Sequence, residues 1–171
     1  FRSTSKLDFL ENIWYVGALS EELVDKPLAR TICGFPMVIY RGESGRSLAL
    51  EDRCPHRQAP LSMGNVLGDE IQCNYHGFMF NGSGACTHIP RQERVPSTMD
   101  IRAFKTVERW GFVWIWWGDQ SLADESMVPT TSANAKVQSI GQSTSATCAQ
   151  FPSTPHRLVN AMMSQHALAV N

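Results

Sequence analysis

The sequence predicts an all-β domain of small antiparallel sheets. Short runs rich in β-branched and aromatic residues recur up to Pro129, Gly-, Asn- and Ser-rich turn signals separate them, and helical periodicity is sparse. Such spacing of strands and turns is that of a sandwich or barrel.

The elements follow in order. The helical signal is confined to Ser20–Val24, after Trp14-Tyr15-Val16. Thr31-Ile32-Cys33 leads into a turn at Gly34, and Met37-Val38-Ile39-Tyr40 reads as a strand. Gly42-Glu43-Ser44-Gly45 is a hairpin turn whose return strand is Ser47 to Glu51. A second hairpin joins Phe78-Met79-Phe80 to Ala85-Cys86-Thr87 through Asn81-Gly82-Ser83-Gly84, where Asn-Gly is a strong turn signal. Ile101 to Val107 and Gly111 to Trp117 make a third pair. Around the last strand Trp110, Phe112, Trp114 and Trp116 alternate with Val113, Ile115 and Trp117. Both faces are apolar, which predicts a buried core strand.

Composition limits what the chain does. Its 171 residues are about one domain's worth. They carry 15 Lys and Arg against 16 Asp and Glu, a formal net charge of -1, with a pI near 6.6. That balance excludes an electrostatic nucleic-acid binder. Charged residues are 18% and hydrophobic residues 43%, a mixture that argues against bulk disorder. The longest apolar stretch, Trp110 to Trp117, falls far short of the ~20 residues of a membrane span, so no membrane association is expected. No basic-then-apolar leader opens the chain, and residue 1 is Phe rather than Met, which points to a fragment. The five cysteines, Cys33, Cys54, Cys73, Cys86 and Cys148, are an odd number without a leader. This favours a reducing compartment, the cytoplasm, over a disulfide framework, and leaves thiols for metal binding.

A composition boundary falls after Pro129. All the acids precede it, and beyond it only Lys136 and Arg157 are charged in a Ser/Thr-rich stretch. The first part reads as a folded domain. The second reads as a loose tail, or as part of a domain whose remainder is absent.

Two segments supply one metal constellation. Cys54-Pro55-His56 follows the strand-like Leu48 to Asp52, and Cys73-Asn74-Tyr75-His76-Gly77 follows Glu70 to Gln72. Each offers one thiolate and one imidazole, and two loops at one end of a β domain bring four ligands together. Zinc fingers usually pair Cys with Cys and His with His. Mixed loops suit a [2Fe–2S] cluster with two Cys on one iron and two His on the other. Replacing two thiolates by neutral imidazoles raises the potential to roughly −150 to +300 mV, against about −400 mV for an all-Cys plant-type cluster.

Cys54-Pro55-His56-Arg57 and Cys73-Asn74-Tyr75-His76-Gly77 resemble the Rieske family. The resemblance implies that Cys54 and Cys73 hold an inner iron, and that His56 and His76 hold an outer, solvent-facing one. The respiratory-complex branch adds a disulfide-forming Cys in each loop, a Ser after His-Gly and a Tyr two positions on. Here no spare Cys is present, and those two positions are Phe78 and Phe80. Without the hydroxyls that raise the potential, the oxygenase branch is favoured.

Asn12-Ile13-Trp14-Tyr15-Val16, Lys26-Pro27-Leu28-Ala29-Arg30, Glu51-Asp52-Arg53, Ala59-Pro60-Leu61-Ser62, Val107-Glu108-Arg109 and Gly111 to Asp119 are similar to oxygenase components of the vanillate O-demethylase and dicamba monooxygenase group. Gln58 departs mildly, standing where small or apolar residues are frequent. The resemblance implies an N-terminal extension over 1–11, a Rieske domain over 12–119, and over 120–171 a linker with a truncated or divergent start of a catalytic domain. It implies an oxidoreductase component that hydroxylates or O-demethylates an aromatic substrate. Electrons would come from a flavin or ferredoxin-type reductase, in a homotrimer where one subunit's cluster feeds its neighbour's iron. A mononuclear Fe(II), held by two His and a carboxylate, is expected only in the full-length parent. In the tail His166 would match the first of those His, but the second falls on Asn171 and the preceding Asp on Met163. The catalytic iron site is therefore incomplete in this sequence, and truncation, frameshift and divergence of the tail all remain open.

Other residues have plainer readings. Cys86-Thr87-His88 repeats the Cys-x-His pattern, but the family tolerates both types there without using them as ligands, so a strand is expected. Cys33 and Cys148 read as small apolar fillers or free thiols, and His156 and His166 as tail residues. Arg53 and Arg57 flank the ligands and read as solvated or salt-bridged, with steering of an acidic reductase as the functional alternative. The rival functions are a stand-alone Rieske ferredoxin, a structural zinc module and a non-functional truncated product.

Overall fold

The computed structural model describes residues 9–24 and 26–129 of the chain. The tail residues Cys148, His156, His166 and Asn171 lie outside the described residues. Antiparallel strands build three sheets, in agreement with the all-β expectation. The first sheet has the order β1 (Ile13–Leu19), β11 (Phe112–Trp117), β10 (Thr106–Arg109). The second runs β2 (Leu28–Ile32), β3 (Phe35–Arg41), β4 (Ser47–Glu51), β9 (Ala103–Phe104). The third runs β5 (Asn65–Leu67), β6 (Glu70–Gln72), β7 (Met79–Phe80), β8 (Cys86–His88).

Strand β3 explains how the sheets stack. Met37, Val38, Ile39 and Tyr40 are all fully buried, because each face of the strand meets a different core. Val38 and Tyr40, with Leu50, pack against Ile71 and Phe80 of the third sheet. Met37, Ile39 and Ala49 pack against Ala18, Val113 and Ile115 of the first. A middle sheet covered on both sides needs a continuous apolar run rather than an alternating one, and each such large side chain stabilises the fold by ~1.5–3 kcal/mol. The Tyr40 hydroxyl would be costly in that core, and it donates to the carbonyl of Asp69 at 3.1 Å.

The outer face of the first sheet carries Trp14, Trp114 and Trp116, which pack with the buried Val128. Residues 119–128 return over this face in two 3₁₀ turns, Gln120–Leu122 and Glu125–Met127. Asp119 and Asp124 each accept the N–H two residues on, from Ser121 and Ser126. Two indoles hold the segment: Trp116 donates to the Asp119 carbonyl at 2.7 Å and Trp14 to the Asp124 carbonyl at 2.7 Å.

Three details differ from the sequence-based expectation, and one segment it left unassigned is a strand. Ile101–Val107 is not one strand. Ala103 and Phe104 pair with β4, then the chain crosses at Lys105 and Thr106–Arg109 pairs with β11. Apolar content alone does not show which sheet a short run joins. Trp110 does not share the face of Trp114. It sits with Gly111 in the two-residue β10–β11 turn, both at positive φ, and is 47% exposed. The Ser20–Val24 segment is a single 3₁₀ turn, Ser20–Glu22, closed by the Glu22 carboxylate accepting the Leu19 N–H at 2.8 Å. Trp14-Tyr15-Val16 lies inside β1, whose partner β11 is about a hundred residues away in sequence.

Candidate metal centre

The first loop leaves β4 of the middle sheet, and the second connects β6 to β7 of the third. Each opens on a buried cysteine; Cys54 and Cys73 are each 2% exposed and belong to the core shared by these two sheets. The loops close in the same way. The Cys54 N–H donates to the Ala59 carbonyl at 2.8 Å, and the Gln58 N–H donates back to the Cys54 carbonyl at 2.9 Å. The Cys73 N–H donates to the Phe78 carbonyl at 2.8 Å, and the Gly77 N–H to the Cys73 carbonyl at 3.0 Å. The residue four after each cysteine turns the chain through the left-handed region, Gln58 at φ 59° and Gly77 at φ 77°. Gln58 thus occupies a conformation that glycine adopts without steric cost.

Three further contacts brace the two loops. The Asp52 carboxylate accepts the Ser62 N–H at 2.7 Å and the Ser62 hydroxyl at 2.6 Å, which ties together the two ends of the first loop. Gly64 passes so close to the second loop that a Cβ there would collide with the Gln72 carbonyl. Pro90 covers Gly77, with its Cγ 3.2 Å from the place a Cβ would take. The pattern of cysteines and histidines does not disclose these contacts; a glycine after Leu61-Ser62-Met63 is the one local hint of a close approach.

The four sequence-derived residues divide two and two. The thiols of Cys54 and Cys73 face one another in the core. Burial pushes the Cys54 thiol up to about 11, the backbone N–H groups of His56 and Arg57 oppose the shift, and Cys73 adds to it. The imidazoles of His56 and His76 stand exposed at the rim, their ring centroids 4.5 Å apart and their planes at 66°. Loss of water around the ring, then the neighbouring His56 and Arg57, hold His76 below the usual histidine value. A neutral imidazole is the form that binds metal. Two aromatic rings flank the pair. Phe78 stacks on His56 at 4.8 Å with the planes 4° apart, and Tyr75 lies 3.9 Å from His76. Among the described residues, no three His, Cys, Asp or Glu side chains gather as a single-ion site. Paired buried thiols and paired exposed imidazoles are the donor types of a two-iron centre with two ligands on each iron.

The other cysteines and basic residues lie apart from this arrangement or beside it. Cys86 is buried and its Sγ lies 3.8 Å from the His88 carbonyl, whereas the His88 side chain is exposed. Cys33 occupies the β2–β3 turn at φ 52° beside Tyr15, and burial pushes its thiol up to about 11. Arg53 pairs with Glu51 at 3.0 Å, the plainer of its two readings.

An all-β domain whose two loops present paired thiols and paired imidazoles has the donor types of an iron–sulfur domain. Comparison with known proteins makes this specific. Residues 13–99 match the family model of the Rieske [2Fe-2S] domain, and the chain belongs to that family. It is 47% identical over 124 residues to the oxygenase component of dicamba O-demethylase from Stenotrophomonas maltophilia, covering 72% of this chain and 37% of that protein. It is 44% identical over 120 residues to a vanillate O-demethylase oxygenase subunit from a Pseudomonas species, covering 70% and 34%. The crystal structure of dicamba monooxygenase with non-heme iron and dicamba superposes with a TM-score of 0.69 at 45% identity, over 74% of this chain and 39% of that one. The chain thus spans little more than a third of the length of these relatives.

Proposed function

We propose that Cys54, His56, Cys73 and His76 hold the [2Fe–2S] cluster, and that the domain carries single electrons for an oxygenase component. The observation that carries this reading is the division of the donors: two neighbouring thiols buried in the core and two neighbouring imidazoles exposed, one of each from either loop. When bound, the cluster supplies a site that accepts and releases one electron. Cys54 and Cys73 give up their protons on binding and keep the inner iron out of water. His56 and His76, both exposed, would hold the outer iron where a redox partner could reach it. Phe78 and Phe80 of the second loop, where hydroxyls would raise the potential, support the low-potential branch.

By analogy with the relatives, residues 12–119 are the electron-transfer part of an enzyme that hydroxylates or O-demethylates an aromatic acid in the cytoplasm. Residues 120–171 link it to the start of a catalytic domain with a mononuclear Fe(II). The electron donor is a flavin or ferredoxin-type reductase, and the working assembly is a homotrimer. Among the described residues no helix is long and apolar enough to cross a membrane.

The test is iron and acid-labile sulfide content, with an EPR spectrum after dithionite reduction. Two irons, two sulfides and a rhombic Rieske signal are expected. Zinc without sulfide would replace this reading with a structural metal site.

A further inference from the structure

Phe78 belongs to the second loop by its backbone and to the first by its side chain. Its carbonyl closes the second loop by accepting the Cys73 N–H at 2.8 Å. Its ring crosses to lie flat against His56 of the first loop, centroids 4.8 Å apart and planes within 4°. The ring is 7% exposed and held in the core with Cys54, Cys73, Phe80 and Ile89, whereas His56 is exposed. His56 makes no side-chain hydrogen bond among the described residues, so its ring is oriented by packing alone: Phe78 on its face and His76 at its edge.

We propose that Phe78 is the positioning residue of the outer metal site: its buried ring fixes the plane of the His56 imidazole and closes the inner side of that site to water. The proposal rests on the reading of His56 as a cluster ligand. An imidazole free to turn about χ2 presents its nitrogen over a range of directions, and a ring stacked on one face removes most of that range. The apolar shell around a metal site also sets its potential through solvent access. Reduction adds a negative charge to the centre, and water stabilises the reduced form more than an apolar ring does. Opening the site should therefore raise the potential.

The experiment compares Phe78→Met, which keeps the volume and loses the ring, with Phe78→Trp, which keeps a flat ring. Each is read by iron and sulfide content, EPR line shape and midpoint potential. If the native chain holds no two-iron, two-sulfide centre, the ligand reading itself fails, before any variant is compared. With the native centre present, Phe78→Met is expected to raise the potential and broaden the EPR signal, and Phe78→Trp to stay near native on both. Loss of the cluster in Phe78→Met with retention in Phe78→Trp also supports the proposal. It is overturned if Phe78→Met matches the native chain, if Phe78→Trp departs as far as Phe78→Met, or if both lose the cluster.

Discussion

Gln58 and Gly77 occupy the same place in the two loops. Each lies four residues after a buried cysteine, each donates its N–H to that cysteine's carbonyl, and each has a positive φ. The histidines break the equivalence: His56 is two residues after Cys54, and His76 three after Cys73. One backbone turn thus displays two imidazoles from different steps. The two rings meet edge to face, with their planes at 66°.

The pairing predicts opposite effects of two substitutions. A left-handed residue other than glycine costs roughly 1–2 kcal/mol, while glycine costs about 0.5–1 kcal/mol in chain entropy. Gln58→Gly should therefore stabilise the domain by about 0.5–1 kcal/mol. Gly77→Ala should destabilise it by at least ~1 kcal/mol, because the new Cβ also meets Pro90. Urea unfolding of the two variants measures both, and equal midpoints would refute the shared role.

The Asp52–Ser62 contact should matter for the first loop alone. Asp52→Ala leaves the Ser62 N–H and hydroxyl without their acceptor, a loss of about 1–3 kcal/mol. Hydrogen exchange is the sensitive measurement. Faster exchange is expected at Ser62 and Gln58, with little change at Gly77.

His76→Cys should lower the midpoint potential of the loaded domain. The change replaces a neutral imidazole by a thiolate and adds one negative charge to the centre, moving it toward the all-Cys range of about −400 mV. Protein-film voltammetry reads this directly. A potential equal to or above that of the native domain would remove His76 from the ligand set.

Arg41 and Glu108 join the middle sheet to the first through two hydrogen bonds, at 2.9 and 3.1 Å. The Arg41 guanidinium holds the Glu108 carboxyl below its ordinary value of 4.5. A depressed folded-state value means the contribution is fully present above the unfolded value and is lost as the pH falls through the folded one. The pair is partly exposed, so its worth after screening is about 0.5–1 kcal/mol. The native chain should exceed Glu108→Gln by that amount at neutral pH, and the gap should shrink as the pH falls below about 4.5. A gap that grows on acidification would contradict it; thermal melts across pH 3–7 give the answer.

Much of the site was legible in the sequence because ligand chemistry is local. A thiol and an imidazole within one loop, twice over, point to a candidate donor set whatever the loops do. The hairpin at Asn81-Gly82 was equally plain, since its turn depends on the residues in the turn itself. Cys86 and His88 repeat the local pattern, burial included, and differ in their partners: among the described residues Cys54 faces Cys73 and His56 meets His76, whereas the Cys86 thiol lies against the His88 carbonyl.

By itself, the sequence determined the all-β class and the two loops that offer four candidate donors, because turn preferences and donor types depend on residues a few positions apart. Tertiary structure decided which sheet each short strand joined, as the division of Ile101–Val107 between β4 and β11 shows. It also decided that Gln58 takes a glycine-like turn, and that Phe78 reaches across to His56. Those outcomes depend on partners distant in the chain, and a strand or a ring acquires its role only from the neighbour against which it packs.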